Sequence, residues 1–137
     1  VSDRVELTIP ARGDLLVLAR LTAATLGTRA GFDIEDVEDL RLAVEELSLS
    51  VSTGSGALRL RFDVEAGCVA VECMEMASTD RPDGEETSQV GGGEPIVGHP
   101  DDLSIQIIEA LVDDYGREMT GTGPRAWMVK RGGAVTS

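Results

Sequence analysis

The residue types that could do chemistry are few and scattered. His99 is the only histidine and stands beside Pro100 at a helix entrance, so neither a catalytic triad nor a multi-histidine metal site can be assembled around it. It reads as a surface residue. Cys68 and Cys73 fall in one strand-like stretch, where five residues at about 3.3 Å each hold them too far apart for a mutual disulfide. They read as reduced core thiols. Gly91-Gly92-Gly93 resembles a phosphate cradle only superficially, because no helix carrying a lysine follows it; a flexible lid or linker is the better reading. Met74 and Met76 read as core filler. Trp127 and Met128 lie on opposite faces of a terminal strand, so one is expected in the core and the other as an exposed contact. Glu46, taken alone, is a solvated helix glutamate in a chain rich in them.

These residues are positioned by elements that the hydrophobic period predicts. Val5, Leu7 and Ile9 alternate with Glu6 and Thr8 before Pro10, the pattern of a half-buried strand. From about Asp14 the period lengthens, and Leu15, Leu18, Thr22 and Leu26 mark a helix ending near Gly31. Asp33 can cap a second helix with Glu35 and Asp36 in its positive first turn, and Ile34, Val37, Leu40, Val44, Leu47 and Val51 form its apolar stripe. Leu58, Leu60, Phe62 and Val64 then alternate with Arg59, Arg61 and Asp63; Ala66-Gly67 turns the chain into a short apolar strand from Cys68 to about Met74. The stretch 78–98 is a lid-like loop, rich in Gly, Pro, Ser, Thr and Glu with Val90, Ile96 and Val97 as its few apolar anchors. It is expected to be the most mobile part of the chain. Leu103, Ile107, Leu111 and Tyr115 restore a helical stripe, and Arg117–Thr120 with Arg125–Lys130 read as a final hairpin across Gly121-Thr122-Gly123-Pro124. Two hairpins and clustered helices favour an α+β two-layer sandwich, a mostly antiparallel sheet of about five strands covered on one face by three helices, over alternating parallel units.

The chain has 137 residues, enough for one sizeable core, so a single domain over 1–137 is expected. Asp and Glu total 25 against 12 Lys and Arg, a net charge of -13; such a surface repels phosphate backbones and anionic membranes, which argues against direct nucleic-acid binding. No apolar run approaches the roughly 18 residues of a membrane span, and Val1–Pro10 lacks the pattern of a secretory signal. A cytoplasmic protein is expected.

The second helix carries Leu42-Ala43-Val44-Glu45-Glu46-Leu47-Ser48-Leu49-Ser50, preceded by Asp36-Val37-Glu38-Asp39-Leu40-Arg41. This wording resembles the asparagine-containing helix of the anti-sigma-factor serine kinases (RsbW-like), a branch of the GHKL or Bergerat-fold ATPases. The element order, the long loop and Ile108-Glu109-Ala110-Leu111-Val112-Asp113-Asp114 extend the likeness over roughly Arg4 to Arg131. The resemblance implies the Bergerat fold. It places Glu46 on the glutamate that activates a protein serine toward the ATP gamma-phosphate. Ser50 takes the place of the asparagine that helps hold magnesium, and a hydroxyl lacks the reach of the amide. The first glycine motif, with its adenine-binding aspartate, corresponds to Met74-Glu75-Met76-Ala77-Ser78; the second corresponds to Asp102-Leu103-Ser104-Ile105, where Asp101 and Asp102 would face an anionic triphosphate.

Ser50, Met74, Met76 and Ser104 are therefore read as degenerate ATP-pocket positions, with no cofactor expected and Glu46 catalytic only if the protein is active. The resemblance then implies an anti-sigma factor that sequesters an alternative sigma factor of the stress or sporulation type, is released by an anti-anti-sigma (STAS-type) protein, and is a homodimer. The acidic cluster Glu35, Asp36, Glu38 and Asp39 suits a basic partner face. The rival is an active serine kinase using magnesium-ATP, with Glu75 or Glu72 replacing the aspartate and Gly91–Gly93 contacting phosphate. An orphan regulatory domain with changed partners is a third reading.

Overall fold

A computed structural model of the chain describes residues 3–52, 56–77, 102–121 and 123–132. The loop expected at 78–98, the glycine run 91–93, His99 and Asp101 lie outside the described residues. The elements are β1 (Asp3–Pro10), a 3-10 turn (Gly13–Leu15), α1 (Leu16–Arg29), α2 (Ile34–Val51), β2 (Gly56–Glu65), β3 (Cys68–Ala77), α3 (Asp102–Leu111), β4 (Asp114–Thr120) and β5 (Gly123–Arg131). The strands form one antiparallel sheet in the order β1-β2-β3-β5-β4. The expected α+β sandwich is thus the observed architecture, with the three helices on one sheet face.

The core lies between those layers. Leu58, Leu60, Phe62 and Val64 of β2 and Val69, Val71 and Cys73 of β3 face the helices and are buried, as strand alternation requires. They meet Leu40, Ala43, Val44, Leu47 and Val51 of α2, and half-buried Val37 packs against the same core, so the stripe predicted for that helix holds from Val37 onward. Each such large side chain contributes about 1.5–3 kcal/mol by leaving water. Ile34 departs from the stripe, being 83% exposed. It stands at the first residue of the helix, beyond the reach of the sheet. Asp33 does cap α2, its carboxylate accepting from the Asp36 N–H at 2.8 Å.

The first helix is rotated from expectation. Its buried face is Leu16, Ala19, Ala23 and Leu26, while Leu18 is exposed and Thr22 half-buried. The alanines allow close approach to the layer beneath, and the bulkier Val17, Leu18 and Leu21 point outward. Gly31 ends the helix at φ 93, a conformation that a β-carbon disfavours. The N–H groups of Phe32 and Gly31 then close on the carbonyls of Gly27 and Thr28, both at 3.0 Å, satisfying the helix end.

The third helix also stops early. Tyr115 is not its last stripe residue but pairs with Met128 in β4. The Lys130 ammonium donates to the Leu111 carbonyl at 2.9 Å, and the Asp113 N–H has turned to the Val129 carbonyl. Leu103 is exposed and Ile108 fully buried. β3 continues past Met74 to Ala77, and β4 begins at Asp114 rather than Arg117. The last hairpin fixes Trp127 and Met128 on opposite faces: Met128 is buried, whereas the Trp127 ring lies over Gly116 on the open face. A β-carbon at position 116 would stand 2.2 Å from that ring, so only glycine fits.

Candidate functional site

Glu46 and Ser50 sit one turn apart on one face of α2. Glu46 is half-exposed, and its carboxylate makes no ion pair or hydrogen bond among the described residues. Ser50 is 2% exposed. Its hydroxyl donates back to the Leu47 carbonyl at 2.8 Å, as Ser48 does to Val44 at 2.9 Å, the local alternative that serine offers a helix backbone. The Ser50 carbonyl accepts from the Arg117 guanidinium of β4 at 3.2 Å. The last turn of α2 contains no basic residue, so this arginine, arriving from the sheet, supplies the positive charge that a helix C-terminus favours. Sequence reasoning missed it. Its signal was an arginine two positions from Tyr115, on the strand face turned toward the helices.

Ser104 lies on α3, half-buried and hydrogen-bonded or otherwise engaged. Since α3 packs against α2, Ser104 and Ser50 belong to one layer. Met74 and Met76 do not join them. In β3 the helix-facing positions are Cys73 and Glu75, and alternation turns Met74 and Met76 to the opposite, open face. Met74 lines a small charged hollow there with Arg59, Arg61 and Glu72. Glu75 is 8% exposed and its side chain is engaged. It is the carboxylate that the end of β3 offers to the helical layer. Glu72 is on the open face, held between Arg61 and Arg125, and Arg125 also reaches Glu118 at 2.8 Å and stacks 4.7 Å above Trp127.

Burial pushes the Cys73 thiol up to about 12, opposed by its hydrogen bond with Ser48. Cys68 is five positions away and so on the other sheet face, its thiol also raised, chiefly by desolvation. The pair cannot meet. Desolvation likewise raises Tyr115, against the lowering effect of Arg117. At the other end of α2 the nearly buried Lys130 is 3.6 Å from both Asp36 and Asp39. Among the described residues no three His, Cys, Asp or Glu side chains group as a metal site would, and no helix is long and apolar enough to cross a membrane.

The geometry is thus an α+β sandwich whose second helix sets a glutamate and a serine one turn apart. Sequence comparison points to the RsbW-like class. The chain is 27% identical over 126 residues to the serine-protein kinase RsbW of Oceanobacillus iheyensis, covering 82% of this chain and 77% of that one. It is 33% identical over 49 residues to proteins of the same name from Bacillus cereus strain AH187 and Bacillus thuringiensis strain Al Hakam, 36% of this chain and 31% of theirs. The matched segment thus spans about a third of those Bacillus relatives. No family model matches the chain. The chain is RsbW-like by sequence.

Proposed function

We propose that the chain is an anti-sigma regulatory factor: it sequesters an alternative sigma factor, is released by an anti-anti-sigma (STAS-type) protein, and works as a cytoplasmic homodimer without binding ATP. The similarity to the Oceanobacillus iheyensis serine-protein kinase RsbW over four-fifths of the chain carries the regulatory half of this reading. Ser50 supports the other half. A magnesium ion asks for oxygen ligands in near-octahedral geometry, and here the candidate ligand is the short, buried hydroxyl of Ser50, which donates its proton to the Leu47 carbonyl, while the Ser50 backbone carbonyl accepts from Arg117. Such a hydroxyl is a poorer magnesium ligand than the longer amide it replaces. Met74 and Met76 on the open face add nothing to a site on the helical side.

A second reading, an active protein serine kinase, is favoured by Glu46 and Glu75. Glu46 has a carboxylate without a partner among the described residues, and Glu75 offers a buried carboxylate near the end of β3. In that case Glu46 takes the proton from the anti-anti-sigma serine as its oxygen attacks the gamma-phosphorus of magnesium-ATP, and ADP leaves.

Calorimetry with magnesium-ATP, phosphate transfer to the anti-anti-sigma partner and binding of the cognate sigma factor separate the readings. Sigma binding with no ATP affinity tighter than about 1 mM is expected, and Ser50→Asn alone should not restore nucleotide binding. Micromolar ATP affinity would overturn the nucleotide-free reading, and phosphate transfer abolished by Glu46→Gln would establish the kinase. Absence of sigma binding would remove the anti-sigma assignment.

A further inference from the structure

The acidic run that opens α2 is divided between two faces. Asp36 and Asp39 approach Lys130, whereas Asp33, Glu35 and Glu38 border a hollow of about 780 Å³ beside the junction of α1 and α2. Phe32, Ile34 and Val37 supply its apolar lining. Phe32 is buried, but Ile34, at 83%, is the most exposed large hydrophobic side chain among the described residues. The buried stripe of α2 begins at Leu40, so the core has no use for Ile34.

The charges around this lining are negative. The Asp33 carboxylate caps the helix and Glu38 pairs with Arg41 at 2.7 Å, while the Glu35 carboxylate has no partner among the described residues. Together with a net charge of -13, these carboxylates outweigh the partial positive charge of the helix start. A polyanion is repelled here, and a second copy would bring its own carboxylates against the same rim. The backbone offers little to an added strand, because the end of α1 closes on Gly31 and Phe32 and the Asp36 N–H is capped. Helix-in-groove recognition remains.

We propose that this hollow docks a helical segment of a partner protein that presents aliphatic residues along one face flanked by Lys or Arg. Ile34 and Val37 provide the apolar contact, and Glu35 with Glu38 sets the orientation and hastens capture. The surface stands on its own geometry; the identity of the partner as a sigma factor rests on the function proposed above.

The test uses the whole chain. Amide shifts are followed while it is titrated with a synthetic Leu/Lys helix of about four turns, with a Leu/Glu helix of equal length, and with the cognate sigma factor. The Leu/Lys helix should perturb residues 28–38 and the Leu/Glu helix should not bind. Ile34→Asp, and separately the pair Glu35→Lys and Glu38→Lys, should each weaken Leu/Lys binding by about tenfold or more with the thermal midpoint lowered by a few degrees at most, since these side chains are outside the core and the charge reversal costs only the helix-start interaction and the Glu38–Arg41 pair. Perturbation confined to the open sheet face, affinity unchanged in both variants, or self-association mapping to the hollow would overturn the proposal. Peptide docking here without sigma binding would sink the anti-sigma assignment and leave the groove standing. Sigma binding indifferent to both variants, together with no Leu/Lys docking in the hollow, would overturn the groove and leave the anti-sigma assignment standing.

Discussion

Cys73 shows how one residue can be read two ways at different depths of description. Its type and neighbours mark a core thiol; its environment makes that thiol inert, because burial holds it neutral up to about 12 against an ordinary 9.0. Between those values the unfolded chain loses the proton first and binds fewer protons than the folded one, so stability falls as pH rises, by up to about 1.4 kcal/mol per unit. Urea denaturation at pH 8 and pH 10.5 should show this decline in the wild type and a smaller one in Cys73→Ala, with Cys68→Ala, whose thiol is also raised but less deeply buried, reducing it less. A thiol reagent should reach half-buried Cys68 well before Cys73. Equal labelling rates would contradict the buried placement.

At the level of elements, single side chains from the sheet hold both ends of the helical layer. Arg117 binds the end of α2, and Lys130 ties the last carbonyl of α3 to the acidic side of α2. Lys130→Met keeps much of the apolar stem but leaves the Leu111 carbonyl unpaired and two aspartates facing an apolar group. With the aspartates partly exposed, a loss of about 1–3 kcal/mol is expected. Lys130→Arg should recover part of it. Equilibrium unfolding of the two variants checks this, and equal losses would show that volume rather than charge matters. Arg117→Met should cost less, about 1 kcal/mol, as one charge-assisted contact to a helix end.

For the whole molecule the balance is between local ion pairs and global repulsion. The open face carries Arg4–Asp63, Arg59–Glu6 and the Arg61–Glu72–Arg125–Glu118 chain. Exposed pairs of this kind contribute little individually, while a net charge of -13 opposes compaction over longer distances. Raising salt from about 20 to about 200 mM shortens the screening length to below about 10 Å. The thermal midpoint should rise by a few degrees. A fall would show that the ion-pair chain outweighs the repulsion.

The sequence alone determined what depends on neighbours along the chain: the alternation of β1 and β2, the cap and extent of α2, the hairpin at Ala66-Gly67, and the helix wording that carries the RsbW-like resemblance. Period and capping are local properties, so they are legible in one dimension. Contacts between distant segments decided the rest. Nothing near α1 says that Ala19 and Ala23, rather than Leu18, will meet the layer beneath, because that choice belongs to the surface they pack on. Tyr115 became strand because Met128 pairs with it and Lys130 takes the final carbonyl of α3. Met74 and Met76 were separated from Ser50 by the side of the sheet on which the helices settled, and Arg117 reached Ser50 across 67 positions of chain. Only packing brings such groups together, since the burial that rewards their contact does not exist until the layers close.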